Sequence, residues 1–320
     1  MEMTWPKQIT VLCGGVGAAK FLTGLVSVFP EKGVTAIVNT ADDIITHGLY
    51  VSPDIDIITY SLARIVDESK GWGITGDTFR CMRMLDRIGQ ETWFRLGDMD
   101  IAIHIVRTEL LQKGHSLSRV TELFRKAFGL KCRIIPMTDS HVETRIIAKA
   151  GDLHFQEYLV KRRMRDKINA IRFRGMSGAR ASPGVTSAIT HSDLVILSPS
   201  NPFVSIGPIL SVDSVRELMR SRNEPTIAIS PIIGGKVVKG PLSLMLKTFK
   251  RETTSLEVAS MYRDIIDAFV IDRSDSQLRH EIEQLGITPF VTDTFMAGQR
   301  GRVRLAKQVL KFSRQLWGCA

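Results

Sequence analysis

An α/β fold is predicted for this chain, with a doubly wound, mainly parallel sheet of the Rossmann-like kind and a smaller inserted α+β subdomain. Three observations predict it. Short, wholly apolar runs alternate with amphipathic stretches along the chain. Those runs lack the in-out alternation of a half-exposed sheet, so they read as strands covered by helices on both faces. The first run passes through a cluster of glycines straight into a helical segment, the unit from which such sheets are wound.

Taken in order, strands are predicted over 8–13, 34–38, 101–105, 194–197, 226–229 and 268–271. Helical periodicity marks 20–29, 57–66, 117–128, 212–220, 255–266 and 277–285, with a C-terminal amphipathic helix over 302–316. Each helical stretch ends near a glycine, a proline or a polar cluster, and Gly33, Gly129 and Gly286 stand where a left-handed C-terminal cap is expected. The middle of the chain differs: 132–135, 145–150 and 154–160 read as short antiparallel strands joined by polar turns. The expected division is a nucleotide-binding core of 1–70 and 185–320, with 71–184 inserted on the acceptor side.

With 320 residues, 44% of them hydrophobic, the chain is long enough to bury a full core. Cys13, Cys81, Cys132 and Cys319 are scattered without metal-ligand or paired spacing, which argues against a disulfide framework or a structural zinc and for a reducing, cytoplasmic setting. No apolar run reaches the roughly 18 residues of a membrane span, and the N-terminus has no basic-then-apolar signal pattern, so no membrane association is expected. The net charge of +10 concentrates in 161–167, Arg172, Arg174 and Arg180, and again in Arg300, Arg302 and Arg304. Without an aromatic-interleaved RNA motif or a helix-turn-helix, a nucleic-acid partner would rest on charge alone and is not expected. Most of these side chains read as a solvated basic face, with a few lining an anionic pocket.

Four clusters carry candidate chemistry. Gly14, Gly15 and Gly17 let a backbone close on a diphosphate at a helix start, and Lys20 adds a positive charge one turn in. The spacing is neither G-x-x-x-x-G-K-[ST] nor G-x-G-x-x-G, so neither an ordinary ATPase nor an ordinary NAD site is predicted. Next come Asp42, Asp43, Asp54 and Asp56 beside a predicted strand end. Asp54 is placed to open the helix after Ser52-Pro53, a purely structural role. A carboxylate pair beside a phosphate loop also suits hydrated Mg²⁺, and Asp54 is the expected metal contact. A third cluster holds Asp77, Arg95, Asp98, Asp100 and His104, with Trp72 and Trp93 near in sequence. An Arg beside such a turn is suited to bonding and stacking an aromatic heterocycle, whereas ordinary turns explain the Asp and Gly equally well; His104 reads more readily as a core histidine than as a catalyst. Finally, the proline-stiffened loops from Ser198 through Ser200, Asn201, Ser205 and Gly207 to Pro208, and from Ser230 through Gly234, Gly235 and Lys236 to Lys239-Gly240-Pro241, follow strands and are rich in donors suited to phosphate or a base edge.

In this order, Gly14-Gly15-Val-Gly17-Ala-Ala-Lys20, Asn39-Thr-Ala-Asp-Asp43, Ser52-Pro53-Asp54-Ile-Asp56, Leu96-Gly97-Asp98, His154-Phe-Gln-Glu-Tyr158, Pro199-Ser-Asn201-Pro-Phe-Val-Ser-Ile-Gly-Pro208 and Ser230-Pro-Ile-Ile-Gly234 resemble the 2-phospho-L-lactate transferase family. The likeness covers nearly the whole chain; Ala18 stands where many bacterial members carry another glycine. The resemblance implies transfer of a phospholactyl or phosphoenolpyruvyl group from a guanosine diphosphate-linked donor to the deazaflavin precursor Fo, releasing GMP in coenzyme F-420 biosynthesis. It implies that Asp56 and Arg95 hold Fo, that Asp54 and Asp56 direct the chemistry with Mg²⁺, and that Gly14, Gly15, Gly17, Lys20, Ser200, Asn201, Ser205 and Gly207 enclose the nucleotide part. A homodimer is expected. The competing reading of the same fold is a non-catalytic regulatory protein that binds nucleotide sugars.

Overall fold

The computed structural model describes residues 6–238 and 240–317; Lys239 and Cys319, named above, lie outside the described residues. The chain opens with β1 (Ile9–Cys13), α1 (Gly15–Leu25), β2 (Val34–Val38), the hairpin of β3 (Ile44–Thr46) and β4 (Leu49–Val51), and α2 (Pro53–Leu62). Helices α3 (Arg80–Arg87), α4 (Asp98–Gln112) and α5 (Leu117–Ala127) follow, then β5 (Arg133–Pro136), β6 (Glu143–Ala148), β7 (Gly151–His154) and β8 (Ile168–Arg174). The second half comprises α6 (Val185–His191), β9 (Leu194–Leu197), α7 (Gly207–Ser211), α8 (Val215–Arg220), β10 (Thr226–Ile229), the ribbon of β11 (Ile232–Ile233) and β12 (Lys236–Val237), and α9 (Leu242–Thr248). It ends with α10 (Ser255–Tyr262), β13 (Ala268–Asp272), α11 (Arg279–Gln284), β14 (Thr288–Thr292) and α12 (Gly298–Trp317).

Seven strands form one sheet in the order β14-β13-β10-β9-β1-β2-β5. Every pair in it is parallel. The chain winds outward from β1 through β2 to β5, then returns to the other side of β1 at β9 and winds outward again, so the direction reverses between β1 and β9. That is the Rossmann-like order, and ligands of such sheets bind at the carboxyl ends of the two strands flanking the reversal.

The central strands β1, β2, β9 and β10 are buried at every position, as the apolar runs required. One face packs Phe21, Leu22 and Leu25 of α1 with Leu305, Val309 and Leu310 of α12. The opposite face packs Val185 and Ile189 of α6 with Val215, Val258 and Ile282 from later helices. A separate antiparallel sheet, β7-β6-β8, buries Ile146 and Leu153 against Val204 and Met245. It thereby sits beside the loop that follows β9.

Several expectations are corrected. Residues 101–105 are helical, inside α4. This helix buries Asp100, His104 and Arg107, at i, i+4 and i+7, while Ile105 is 51% exposed. Its hydrophilic stripe faces inward, so its apolar run imitates a strand. Residues 133–136 are not antiparallel; they pair in parallel with β2 as an edge of the main sheet. Of 154–160 only His154 ends a strand, and Glu157–Lys161 is a π-helical turn. Strands β8 and β14 escape the apolar criterion because β8 alternates with arginines and β14 carries Pro289 between threonines. Proline also ends the other edge, at Pro136 of β5. A residue that cannot donate to a ladder is tolerated at an edge and protects it from further pairing. Gly129 and Gly286 take the expected left-handed conformation, but Gly33 does not. Gly33 is required instead by crowding, since a Cβ there would lie 2.6 Å from the Lys7 carbonyl oxygen.

Crossing of α1 and α12 depends on Gly24, where a Cβ would meet the carbonyl oxygen of Arg302 at 2.3 Å. Gly24→Ala should therefore destabilise the fold by about 1–3 kcal/mol, outweighing the better helix propensity of alanine. Urea unfolding midpoints of the two proteins check this.

Candidate functional site

The turn after β1 and the start of α2 are joined by one carboxylate. Helix α1 begins at Gly15, with Gly14 as its N-cap, and has no capping side chain of its own. The Gly15 N–H donates to Asp54 Oδ1 at 2.8 Å, and Asn39 Nδ2 donates to Asp54 Oδ2 at 2.9 Å. Asp54 thus caps the neighbouring helix rather than only opening α2, whose N-cap is Ser52 with Pro53 following. Gly14 lets this happen, because a Cβ there would lie 2.9 Å from Asp54 Oδ2 and 2.5 Å from Ser205 Cβ. Gly17 has a similar role against the Pro199 carbonyl oxygen, whereas Gly15, at φ +73°, faces open space. Of the three glycines, two make room for the protein's own loop and one leaves room for a ligand.

The four carboxylates divide into two kinds. Asp43 accepts from Ser52 Oγ at 2.9 Å, and Asp56 forms an ion pair through both oxygens with Arg107. Asp54 is held by the neutral Gly15 and Asn39 donors, and Asp43 resembles Asp42 in having a carboxyl raised by burial and an Oδ1 without a hydrogen-bond partner. Burial, and then the charge of Asp54, hold the Asp42 carboxyl well above the usual range, and its Oδ1 is buried without a hydrogen-bond partner. Burial pushes the Asp54 carboxyl up to about 6 despite its two hydrogen bonds. A buried pair of repelling carboxylates with an orphaned oxygen fits a divalent cation completed by water and phosphate. Among the described residues, no group of three or more His, Cys, Asp or Glu is arranged to hold a metal.

These residues open on one cleft of about 770 Å³. Gly14, Gly15, Gly17 and Lys20 line it from the first loop, and Asp42, Asp54 and Asp56 from the second strand and α2. Ser200, Asn201 and Ser205 face it from the loop after β9, and Arg95 from the far side. Gly207 is not among its walls; it borders a separate hollow of about 330 Å³ with Phe173 and Phe203. Much of the donor capacity expected of the proline-rich loops is used internally. Ser200 Oγ donates to the Gly14 carbonyl, Asn201 Nδ2 donates to Met245 Sδ, and the Gly234 and Gly235 N–H groups donate to Asp275. Ser205, Pro231 and Pro241 still border the cavity.

Away from the phosphate loop the cleft becomes aromatic and apolar. Trp72, Trp93 and Phe94 form one wall, with Phe155, Leu159 and Met164 opposite. The Arg95 guanidinium lies 4.5 Å from the ring centre of Phe79, which meets Trp72 edge-on. Lys161 pairs with Glu91 at 2.9 Å and is set over the Trp93 ring.

Behind Asp56 lies a polar layer not expected from the sequence. His104, anticipated as a core histidine, is indeed fully buried, but in contact with Arg107 and Asp100. Arg107 was not singled out at all. The available signal was the Asp100, His104, Arg107 spacing on one helical face, hidden by the strand reading of that segment.

A doubly wound α/β protein with a glycine loop, buried carboxylates and an aromatic half-cleft at its switch point has the layout of a ligand-binding α/β enzyme. The family model described as "2-phospho-L-lactate transferase CofD" matches residues 9–310. A "2-phospho-L-lactate transferase" of Methanothermobacter thermautotrophicus is 38% identical over 303 residues, covering 95% of this chain and 97% of that protein. One from Methanosarcina mazei is 36% identical over 301 residues, covering 94% and 99%. A "Phosphoenolpyruvate transferase" of Streptomyces griseus is 37% identical over 315 residues, covering 97% and 99%. The crystal structure of a UPF0052-family protein from Bacillus halodurans superposes with a TM-score of 0.64 at 14% identity, covering 96% of this chain and 99% of that one, a likeness of fold. The chain belongs to the 2-phospho-L-lactate transferase family and is a transferase. No helix among the described residues is long and apolar enough to cross a membrane.

The raised Asp54 carboxyl gives a measurable pH dependence. The folded state holds this proton more tightly than the unfolded chain, whose Asp titrates near about 3.9. The cost of burying the ionised group is therefore fully present above a pH of about 6 and relieved as pH falls toward about 4. This component of stability should decline as pH rises through that window and be absent from Asp54→Asn. Urea midpoints of both proteins from pH 4 to 8 check it, and parallel profiles would refute it.

Proposed function

We propose that the protein transfers a phospholactyl or phosphoenolpyruvyl group from a guanosine diphosphate-linked donor to the deazaflavin precursor Fo, with GMP leaving, in coenzyme F-420 biosynthesis. The observation that carries this reading is the buried Asp42 and Asp54 pair on the glycine loop, opposite an aromatic half-cleft. One end of the cleft suits a diphosphate and the other a flat heterocycle. Family membership supports the reaction class, and relatives named for lactate and for phosphoenolpyruvate share similar identity with this chain, so the three-carbon acid is left open.

In this reading the terminal ribityl hydroxyl of Fo attacks the phosphorus bearing the three-carbon acid. A new P–O bond forms to Fo, the P–O bond to GMP breaks, and no covalent enzyme intermediate is required. Asp54 lowers the cost of deprotonating that hydroxyl, whose proton leaves to solvent. Gly15 and Lys20 hold the diphosphate at the start of α1. Asp56 accepts from the ribityl hydroxyls, and Arg95, with the tryptophans near it, holds the ring system. Asp42 and Asp54 would hold Mg²⁺, which when bound neutralises charge on the phosphoryl oxygens. Rate acceleration then comes mainly from in-line placement and charge stabilisation.

Incubation with Fo, Mg²⁺ and each guanosine donor should yield a new deazaflavin phosphodiester by mass analysis; no product with any donor would defeat the proposal. Activity should vanish on chelation and return with Mg²⁺. Asp56→Ala should abolish transfer while GDP binding, measured by calorimetry, persists.

A further inference from the structure

We infer that Arg107, backed by His104 and Asp100, is a positioning residue that fixes the Asp56 carboxylate in the orientation that receives the acceptor's hydroxyls. The inference rests on the role given to Asp56 above. Arg107 is 1% exposed and is not part of the cleft wall, whereas Asp56 is. Arg107 therefore acts through Asp56 and touches no substrate.

The hydrogen bonds specify a single arrangement. Arg107 Nη1 donates to Asp56 Oδ2 at 3.1 Å and Nη2 to Asp56 Oδ1, a forked pair that sets the plane of the carboxylate. Nη1 also lies 3.0 Å from His104 Nδ1. A guanidinium has donors only, so Nδ1 must accept, and the single ring proton of a neutral imidazole sits on Nε2. That nitrogen faces Asp100 Oδ1 at 3.3 Å, and the same oxygen accepts from the Tyr60 hydroxyl at 2.6 Å. Arg107 is thus held from two sides, by the Asp56 carboxylate and by His104, and Nη1 also reaches the Tyr50 carbonyl at 3.4 Å. Each Asp56 oxygen gives one lone pair to Arg107 and retains another for hydroxyl donors.

A structural role for this layer would be indifferent to which substrate is limiting, and steady-state kinetics with each substrate varied separates the two roles. Arg107→Lys keeps the charge and loses the fork, and is expected to raise KM for Fo roughly 10- to 100-fold while KM for the guanosine donor stays within about twofold. In an Asp56→Asn background, Arg107→Met should cause no further loss of Fo affinity, read by direct calorimetric binding and not by turnover, because the carboxylate it positions is gone. This pair also removes both buried charges together, so it tests the idea if Arg107→Lys fails to fold by circular dichroism. A folded Arg107→Lys with wild-type KM for Fo, a proportional rise in both KM values, or an added loss in the double variant would each overturn the inference. Absence of any saturable Fo dependence in the unmodified enzyme overturns the role of Asp56 and this inference together; saturation that Arg107 substitutions leave unchanged overturns this inference alone.

Discussion

Asp54 ties together the start of α1, the end of β2 and the start of α2. Its two oxygens receive the first N–H of α1 and the side chain of Asn39 at the end of β2, while its own backbone opens α2. The interaction satisfies a helix end that has no cap of its own, and an uncapped buried end is costly. It also places an ionisable group where burial resists its charge, so one contact serves both the packing of the loop and the chemistry at its surface. Gly14 is the condition for it, since a side chain there would collide with the carboxylate.

From that contact the cleft acquires its two halves. The reversal of the sheet between β1 and β9 leaves their carboxyl-end loops facing each other, and the hydroxyl of Ser200 joins them through the Gly14 carbonyl. Packing of β6, β7 and β8 against Val204 then sets Phe155, and the turn beyond it, opposite the tryptophans. A polar floor and aromatic walls follow from where the sheet ends and what is stacked beside it.

Charge is distributed by the same logic. Of four aspartates close in sequence, Asp56 pairs with Arg107, while Asp42, Asp43 and Asp54 are buried with raised carboxyls. The partner of Asp56 comes from α4, a helix that turns its polar stripe inward and leaves Met99, Ile105 and Val106 exposed. Inward polarity of this kind is costly unless its groups are paired; here Tyr60 donates to Asp100 and Arg107 to Asp56, with His104 set between them.

The sequence by itself determined the sheet's central strands, the glycine loop and the membership of the acidic and proline-rich clusters. Those features are local in the sequence: a strand covered on both faces must be apolar throughout, and a run of glycines is visible wherever it falls. It also determined the likeness that names the family. Only the tertiary structure decided which carboxylates face each other, that Gly207 borders a different hollow, that 133–136 joins the main sheet, and that Arg107 stands behind Asp56. Each of these depends on contacts between residues distant in the chain. Hydrophobic periodicity does not record them, and in α4 it points the wrong way because the buried face there is the polar one.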